Sequence, residues 1–167
     1  MLLDEIIELA TDDKQSITTL LRKCVILGHQ LKNERLKAWA NQELDGYDSA
    51  EGVPEYRTMP AQAKGNFAGG WGAYQGGRNI PPAVMEESHR WAATNVHLTE
   101  PVRAYESAVS EKGTGMLHYP WPNDMVLYYQ HKFIRGFALV SAWQEIPKSA
   151  IAGVLATVRT RVLNMAL

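Results

Sequence analysis

Between residues 2 and 45 the apolar side chains recur at helical spacing, and no other property of the chain limits its fold so firmly. Leu2, Leu3, Ile6, Ile7 and Ala10 make one stripe with Asp4, Glu5 and Glu8 on the other side, which predicts a short amphipathic helix. After a "TDD" break, Ile17, Leu20, Leu21, Cys24, Gly28 and Leu31 continue at steps of three and four, predicting a second helix over about 14–31. Asn33 can cap a third, with Leu36, Trp39, Ala40 and Leu44 inward, and Gly46 ends it as a glycine after a helix does.

The pattern changes after the polar connection "YDSAEGVPEYR". Helical periodicity fades from Tyr56 to Tyr74, "KGN" at 64–66 suits the turn of an antiparallel hairpin, and Pro60 places the first extended piece at an edge or bulge. "NIPPAV" is a further break, followed by a short helix over "MEESHRWAA". Thr99 can cap a helix to about Glu111, with Val102, Tyr105, Ala108 and Val109 inward, and "KGTG" stops it. "MLHYPW" reads as extended, and Asn123 can cap a helix over "DMVLYYQHK", although its Val, Leu and two Tyr suit a strand equally. "RGFALVSAWQEI" is apolar on both sides, so it is expected as a central strand covered by helices. Pro147 then opens a long helix through Leu167, with Ile151, Val154, Leu155, Val158 and Val162 inward. The expected fold is α+β in one domain over 1–167: three N-terminal helices, a small, mostly antiparallel sheet packed against helices, and a long C-terminal helix. Because "VLNMAL" carries no helix stop, the chain is read as a module of a longer protein.

Charge and cysteine usage remove several classes of function. Seventeen Lys and Arg against eighteen Asp and Glu leave a formal charge of −1, so no global field draws the chain to a polyanion or an anionic bilayer. The single cysteine, Cys24, allows neither an internal disulfide nor a cysteine-cluster zinc site, and its place on an apolar stripe makes it a small hydrophobe. The acidic start lacks the basic region of a signal peptide, and the longest apolar run, "GFALVSAW", is too short to cross a bilayer. A cytoplasmic protein without a membrane partner is expected. His29, His89, His97, His118 and His131 make no H-E-x-x-H or H-x-x-x-H pair, so no metal is expected. There is no G-x-S-x-G elbow, and the adjacent acids Asp12-Asp13 and Glu86-Glu87 do not face one target. No catalytic residue and no cofactor are assigned.

"AGGWGAYQGG", residues 68–77, is the segment most like a ligand loop. Gly70 and Gly72 begin a dinucleotide fingerprint, but position 75 is Gln and the next glycine comes one residue late. Pro81 and Pro82 then stand where the phosphate-binding helix would start, so a glycine-loosened strand or loop is expected instead. Trp71 within it becomes a partner-contact candidate if exposed, together with Tyr74. "EYR" places Tyr56 beside Arg57 at an expected strand start, where the arginine can clamp an anion or form a strand-edge ion pair. On the last helix Arg159 flanks the apolar face and Arg161 points nearly opposite, so either can meet a partner or pair with acids on the first helix. The candidate binding residues are thus Tyr56, Arg57, Trp71, Tyr74, Arg159 and Arg161.

The N-terminal helices through "NQELDGY", the following "VPEYR" and the closing "IAGVLATVRTRVLNMAL" together resemble the AbiTii domain of bacterial abortive-infection proteins; 65–115 resembles it more loosely. The resemblance implies anti-phage defence, placement at the N-terminus of a longer protein, and a sensing, adaptor or assembly role coupled to a fused effector. It carries over no catalytic residue. A non-enzymatic module that binds a protein partner or itself is the first expectation. Its rivals are a toxin-like enzyme acting on nucleic acid, with a site near Tyr56, Arg57 and the glycine stretch, and a nucleic-acid-binding module, against which the charge balance counts.

Overall fold

The computed structural model describes residues 1–111 and 115–167. The chain divides into two compact units: 1–57 with 97–114 and 148–167, and 58–96 with 115–147.

The first unit is helical. It contains α1 (Leu2–Thr11), α2 (Ile17–Gln30), α3 (Glu34–Asp45), α4 (Val102–Ser110) and α6 (Lys148–Ala166), while α5 (Asn123–Tyr129) belongs to the second unit. Ser16 caps α2 by accepting from the Thr19 N–H, and Asn33 caps α3 by accepting from the Leu36 N–H. The N-terminus of α2 is also closed from α4, where the Glu106 carboxylate accepts from the Ile17 N–H at 2.6 Å and the Thr18 hydroxyl at 2.7 Å. Ile6, Leu20, Leu21, Ala40, Val102, Ile151 and Val158 are each buried almost completely, so each of the five helices turns a buried stripe inward. No Thr99 cap forms on α4: Pro101 precedes it, and the Thr99 carbonyl accepts from the Tyr47 N–H instead. The "KGTG" stop lies mostly at 112–114, outside the described residues.

The second unit holds β1 (Thr58–Pro60), paired with β4 (Asn95–His97), and a four-stranded antiparallel sheet. The order in the larger sheet is β3 (Tyr74–Ile80), β2 (Gln62–Gly69), β6 (Phe137–Pro147) and β5 (Met116–Pro120). One face carries Ala63, Phe67, Ile80, Leu139 and Ala142, and it packs with Met125 and Tyr129 of α5 (Asn123–Tyr129) in a single core. The segment is therefore a helix and the strand alternative falls away, but Asn123 is its first residue rather than its cap, since Pro122 precedes it and no side chain caps it. A single 3-10 segment, Glu87–Ala93, stands where the short helix was expected; Trp121 Nε1 donates to its Ala92 carbonyl and Gln144 Nε2 to its Trp91 carbonyl.

Two expectations need correction here. "KGN" is not a turn but the middle of β2, and the reversal comes five residues later at Gly70–Gly72. Gly65 serves space rather than a bend, since a Cβ there would lie 2.7 Å from Leu139 Cδ1. Strand β6 is interior, as expected, yet only one of its faces is core. Asn66 pairs with Ser141 and Phe67 with Leu139, which leaves Val140 unpaired in a bulge and 59% exposed. The bulge moves the inward positions from Leu139 to Ala142, Gln144 and Ile146, of which Gln144 is polar and donates to the Trp91 and Asn95 carbonyls, so an apolar run on both parities still builds a one-sided strand.

Candidate functional site

The glycine stretch is a β-hairpin tip. Trp71 (φ 57°, ψ 32°) and Gly72 (φ 73°) both lie in the left-handed region, and the Ala73 N–H donates to the Gly70 carbonyl at 3.1 Å. That is a type I′ turn, whose twist matches the flanking strands and whose central pair is usually Asn-Gly. Glycine at 72 accepts the conformation freely; tryptophan at 71 does so at roughly 1–2 kcal/mol. No internal contact of the indole offsets that cost, because Trp71 is fully exposed, at 108% of the reference area. Tyr74 is 63% exposed and lies across Gly76, with its Cε1 3.0 Å from where a Cβ would stand. From 65 to 77 no side chain is charged. The tip is an aromatic knob on bare, uncharged backbone.

Tyr56, Arg57 and Arg161 meet in the helical unit. "EYR" forms one 3-10 turn just before β1 rather than a strand start, and Arg57 is 0% exposed. Its guanidinium donates through Nε (3.0 Å) and Nη2 (2.5 Å) to Glu43 Oε2, and through Nη1 to the carbonyls of Leu98 (2.6 Å) and Glu100 (2.8 Å). Tyr47 and Tyr105 cover it, with ring centroids 4.9 and 5.6 Å from Cζ. The arginine therefore braces the interior, and neither the surface anion clamp nor the strand-edge ion pair describes it. Glu43 also accepts from the hydroxyls of Tyr47, at 2.8 Å, and Tyr56. Burial and the adjacent Glu43 carboxylate push both phenols up, Tyr56 to about 12.

Above this buried pair sits a small open pocket. Tyr56 OH accepts from Trp39 Nε1 at 2.9 Å, and Arg161 Cζ stands 4.5 Å from the Tyr56 ring centroid, a cation–π stack. Trp39, Arg161, Asn164 and Met165 line about 440 Å³. Arg159, two residues from Arg161, is buried instead: it donates to the carbonyls of Leu9 (2.7 Å), Asp12 (3.0 Å) and Gln15 (2.5 Å) and stands 3.9 Å from the exposed Asp13. It closes the end of α1 and does not face outward. The six candidates thus separate into a knob (Trp71, Tyr74), a pocket residue (Arg161) with Tyr56 stacked on it, and two interior clamps (Arg57, Arg159).

One cluster escaped the sequence. On the sheet face away from the core, Glu145 accepts from Lys64 Nζ at 2.7 Å, His118 Nε2 lies 3.2 Å from its other oxygen, and Trp143 stacks on the His118 ring. Burial works against the Glu145 charge, but the hydrogen bonds from Lys64 and Trp143 and the Lys64 charge outweigh it and hold the carboxyl below its ordinary range. His118 and Glu145 are direct cross-strand partners, a relation that exists only once the β5–β6 register is known. Among the described residues no group of three or more His, Cys, Asp or Glu is placed to hold a metal ion, and no helix is long and apolar enough to cross a membrane.

Helical unit, antiparallel sheet and aromatic hairpin define an α+β protein of the class that the sequence leads one to expect. Its relatives are named by one comparison: the AbiTii family model matches residues 1–167, the whole chain. The chain belongs to the AbiTii family. That membership suggests abortive-infection defence against phage. No curated protein and no solved structure shows significant similarity to it.

Proposed function

We propose that the chain is a non-catalytic module of an abortive-infection system against phage, acting as sensor, adaptor or assembly element through protein–protein contacts. The observation that carries this is Trp71: a large aromatic side chain held in a strained turn without any internal contact. Exposed aromatics of this kind are the side chains that anchor interfaces when they enter a partner's pocket. The rival reading, a toxin-like enzyme near Tyr56, Arg57 and the glycine stretch, has little support, since Arg57 is enclosed and every one of its contacts is internal.

Trp71→Asn tests the reading without endangering the fold. Asn-Gly is the preferred type I′ pair, so the variant should be more stable than the parent by roughly 0.5–1 kcal/mol. In phage-challenged cells expressing the protein from its native gene, the variant is expected to lose protection while its melting temperature holds or rises. Full protection by Trp71→Asn would overturn the proposal.

A further inference from the structure

We infer that the open pocket beside Trp39 and Arg161 binds a free nucleoside monophosphate, with the phosphate on Arg161 and the base against Trp39. The inference goes beyond the interaction-module reading and does not depend on Trp71.

The charge of the pocket selects an anion. Arg161, Asn164 and Met165 fall at i, i+3 and i+4 of α6, so they share one face of that helix. Arg161 is exposed, yet one face of its guanidinium is stacked on the Tyr56 ring. Tyr56 is itself fixed, since its hydroxyl donates to the buried Glu43 carboxylate and accepts from Trp39 Nε1. Among the described residues no carboxylate stands within ion-pair distance of Arg161. A guanidinium held in place with its N–H fork unspent is a preorganised receptor for phosphate, which two parallel donors can grip.

Size and the other walls select the rest of the ligand. The pocket offers about 440 Å³, within the ~300–1,000 Å³ of small-molecule sites, so a phosphate ion or a single ring alone leaves most of it empty. A base joined to a phosphate through a sugar makes fuller use of it. Trp39 gives the base a ring to lie against, oriented by its own hydrogen bond to Tyr56, and the Met165 thioether adds a polarizable contact. The Asn164 amide carries an acceptor and two donors, the combination that matches the N6 and N7 edge of adenine. A nucleic-acid strand needs a row of cations, whereas this pocket holds one and the chain carries a net charge of −1, so the ligand is the free nucleotide. Because the pocket is open and supplies a single cation, the expected dissociation constant is weak, roughly 10 µM to 1 mM.

The test titrates the isotope-labelled whole chain with the four ribonucleoside monophosphates and follows the amide and indole N–H resonances by NMR, for which 18.7 kDa is a suitable size. Adenosine monophosphate should bind most tightly, shifting the Trp39 indole N–H and the backbone amides of Asn164 and Met165 to saturation below about 5 mM. Adenosine without its phosphate, and inorganic phosphate alone, should each bind at least about tenfold more weakly. Arg161→Gln should weaken nucleotide binding by about tenfold or more while moving the melting temperature by no more than about 4 °C, and Arg161→Lys, which keeps the charge but loses the fork, should fall between. Four results overturn the proposal: shifts that grow without saturation for every nucleotide, saturable shifts confined to residues away from the pocket, equal affinity for adenosine, or affinity that Arg161→Gln leaves unchanged. Any of these leaves the interaction-module reading standing, because that reading is tested separately through Trp71 in phage-challenged cells.

Discussion

Replacing Arg57 by alanine separates an interior brace from a surface recognition residue. The side chain is wholly buried against an equally buried Glu43, and it also donates to the carbonyls of Leu98 and Glu100. Deleting one member of a buried ion pair costs about 3–5 kcal/mol, because the remaining charge stays in the interior uncompensated. Each orphaned carbonyl adds up to about 1 kcal/mol, while the hydroxyls of Tyr47 and Tyr56 still donate to Glu43 and soften the loss. Arg57→Ala should therefore lower stability by roughly 4–6 kcal/mol, a large part of the ~5–15 kcal/mol typical of a folded protein. For a chain of this size that corresponds to a drop of about 10–20 °C in melting temperature. Urea denaturation followed by far-ultraviolet circular dichroism reads the helical unit directly. The double variant Glu43→Leu with Arg57→Met supplies the control: replacing both charges with apolar groups should recover at least half of the loss. A single-variant loss under about 1 kcal/mol would show that Arg57 is not enclosed, and a double variant no better than the single would show that the unpaired carboxylate is not the cause.

Three further outcomes follow from local geometry. At Gly46 (φ +90°) a Cβ would lie 2.8 Å from the Thr99 carbonyl oxygen, so Gly46→Ala should cost roughly 2–3 kcal/mol in urea denaturation, and a loss below about 0.5 kcal/mol would contradict the contact. Glu145 has a folded-state pKa below its ordinary 4.5, so its contribution is present above that pH and disappears as pH falls through the lower folded value. The difference in melting temperature between the parent and Glu145→Gln should be widest above pH 4.5 and close below it; a gap independent of pH would refute the ion pair with Lys64 and His118. Burial pushes the Cys24 thiol up to about 11, so a disulfide-exchange reagent near pH 8 should leave the native protein unlabelled and react fully in denaturant. Prompt labelling of the folded chain would count against the packing of α2.

The helices were legible because their burial is written locally. A stripe at steps of three and four is complete within one segment, and α1, α2, α3 and α6 begin and end close to where the stripes and caps place them. What stayed hidden depended on pairing across the chain. Glu43 stands in phase with Leu36 and Ala40, and Arg159 with Leu155 and Val162, so each puts a charge on a buried stripe. That anomaly is a readable sign of an interior partner, although the partner itself cannot be named from one segment. Strand order and register hid still more: the bulge at Val140 and the space Leu139 needs at Gly65 belong to two strands at once. Trp71 shows the limit from the other side. The glycines around it announced a loosened backbone, but the same letters fit a bend or a flat strand, and the choice was made by the pairing of β2 with β3 that aligns Ala68 with Tyr74. Once that register holds, only three residues separate Gly69 from Ala73, so the indole at the centre of the reversal has no neighbour in its own hairpin. A tryptophan placed there gains nothing from its own hairpin, and the proposed partner contact is what would account for it.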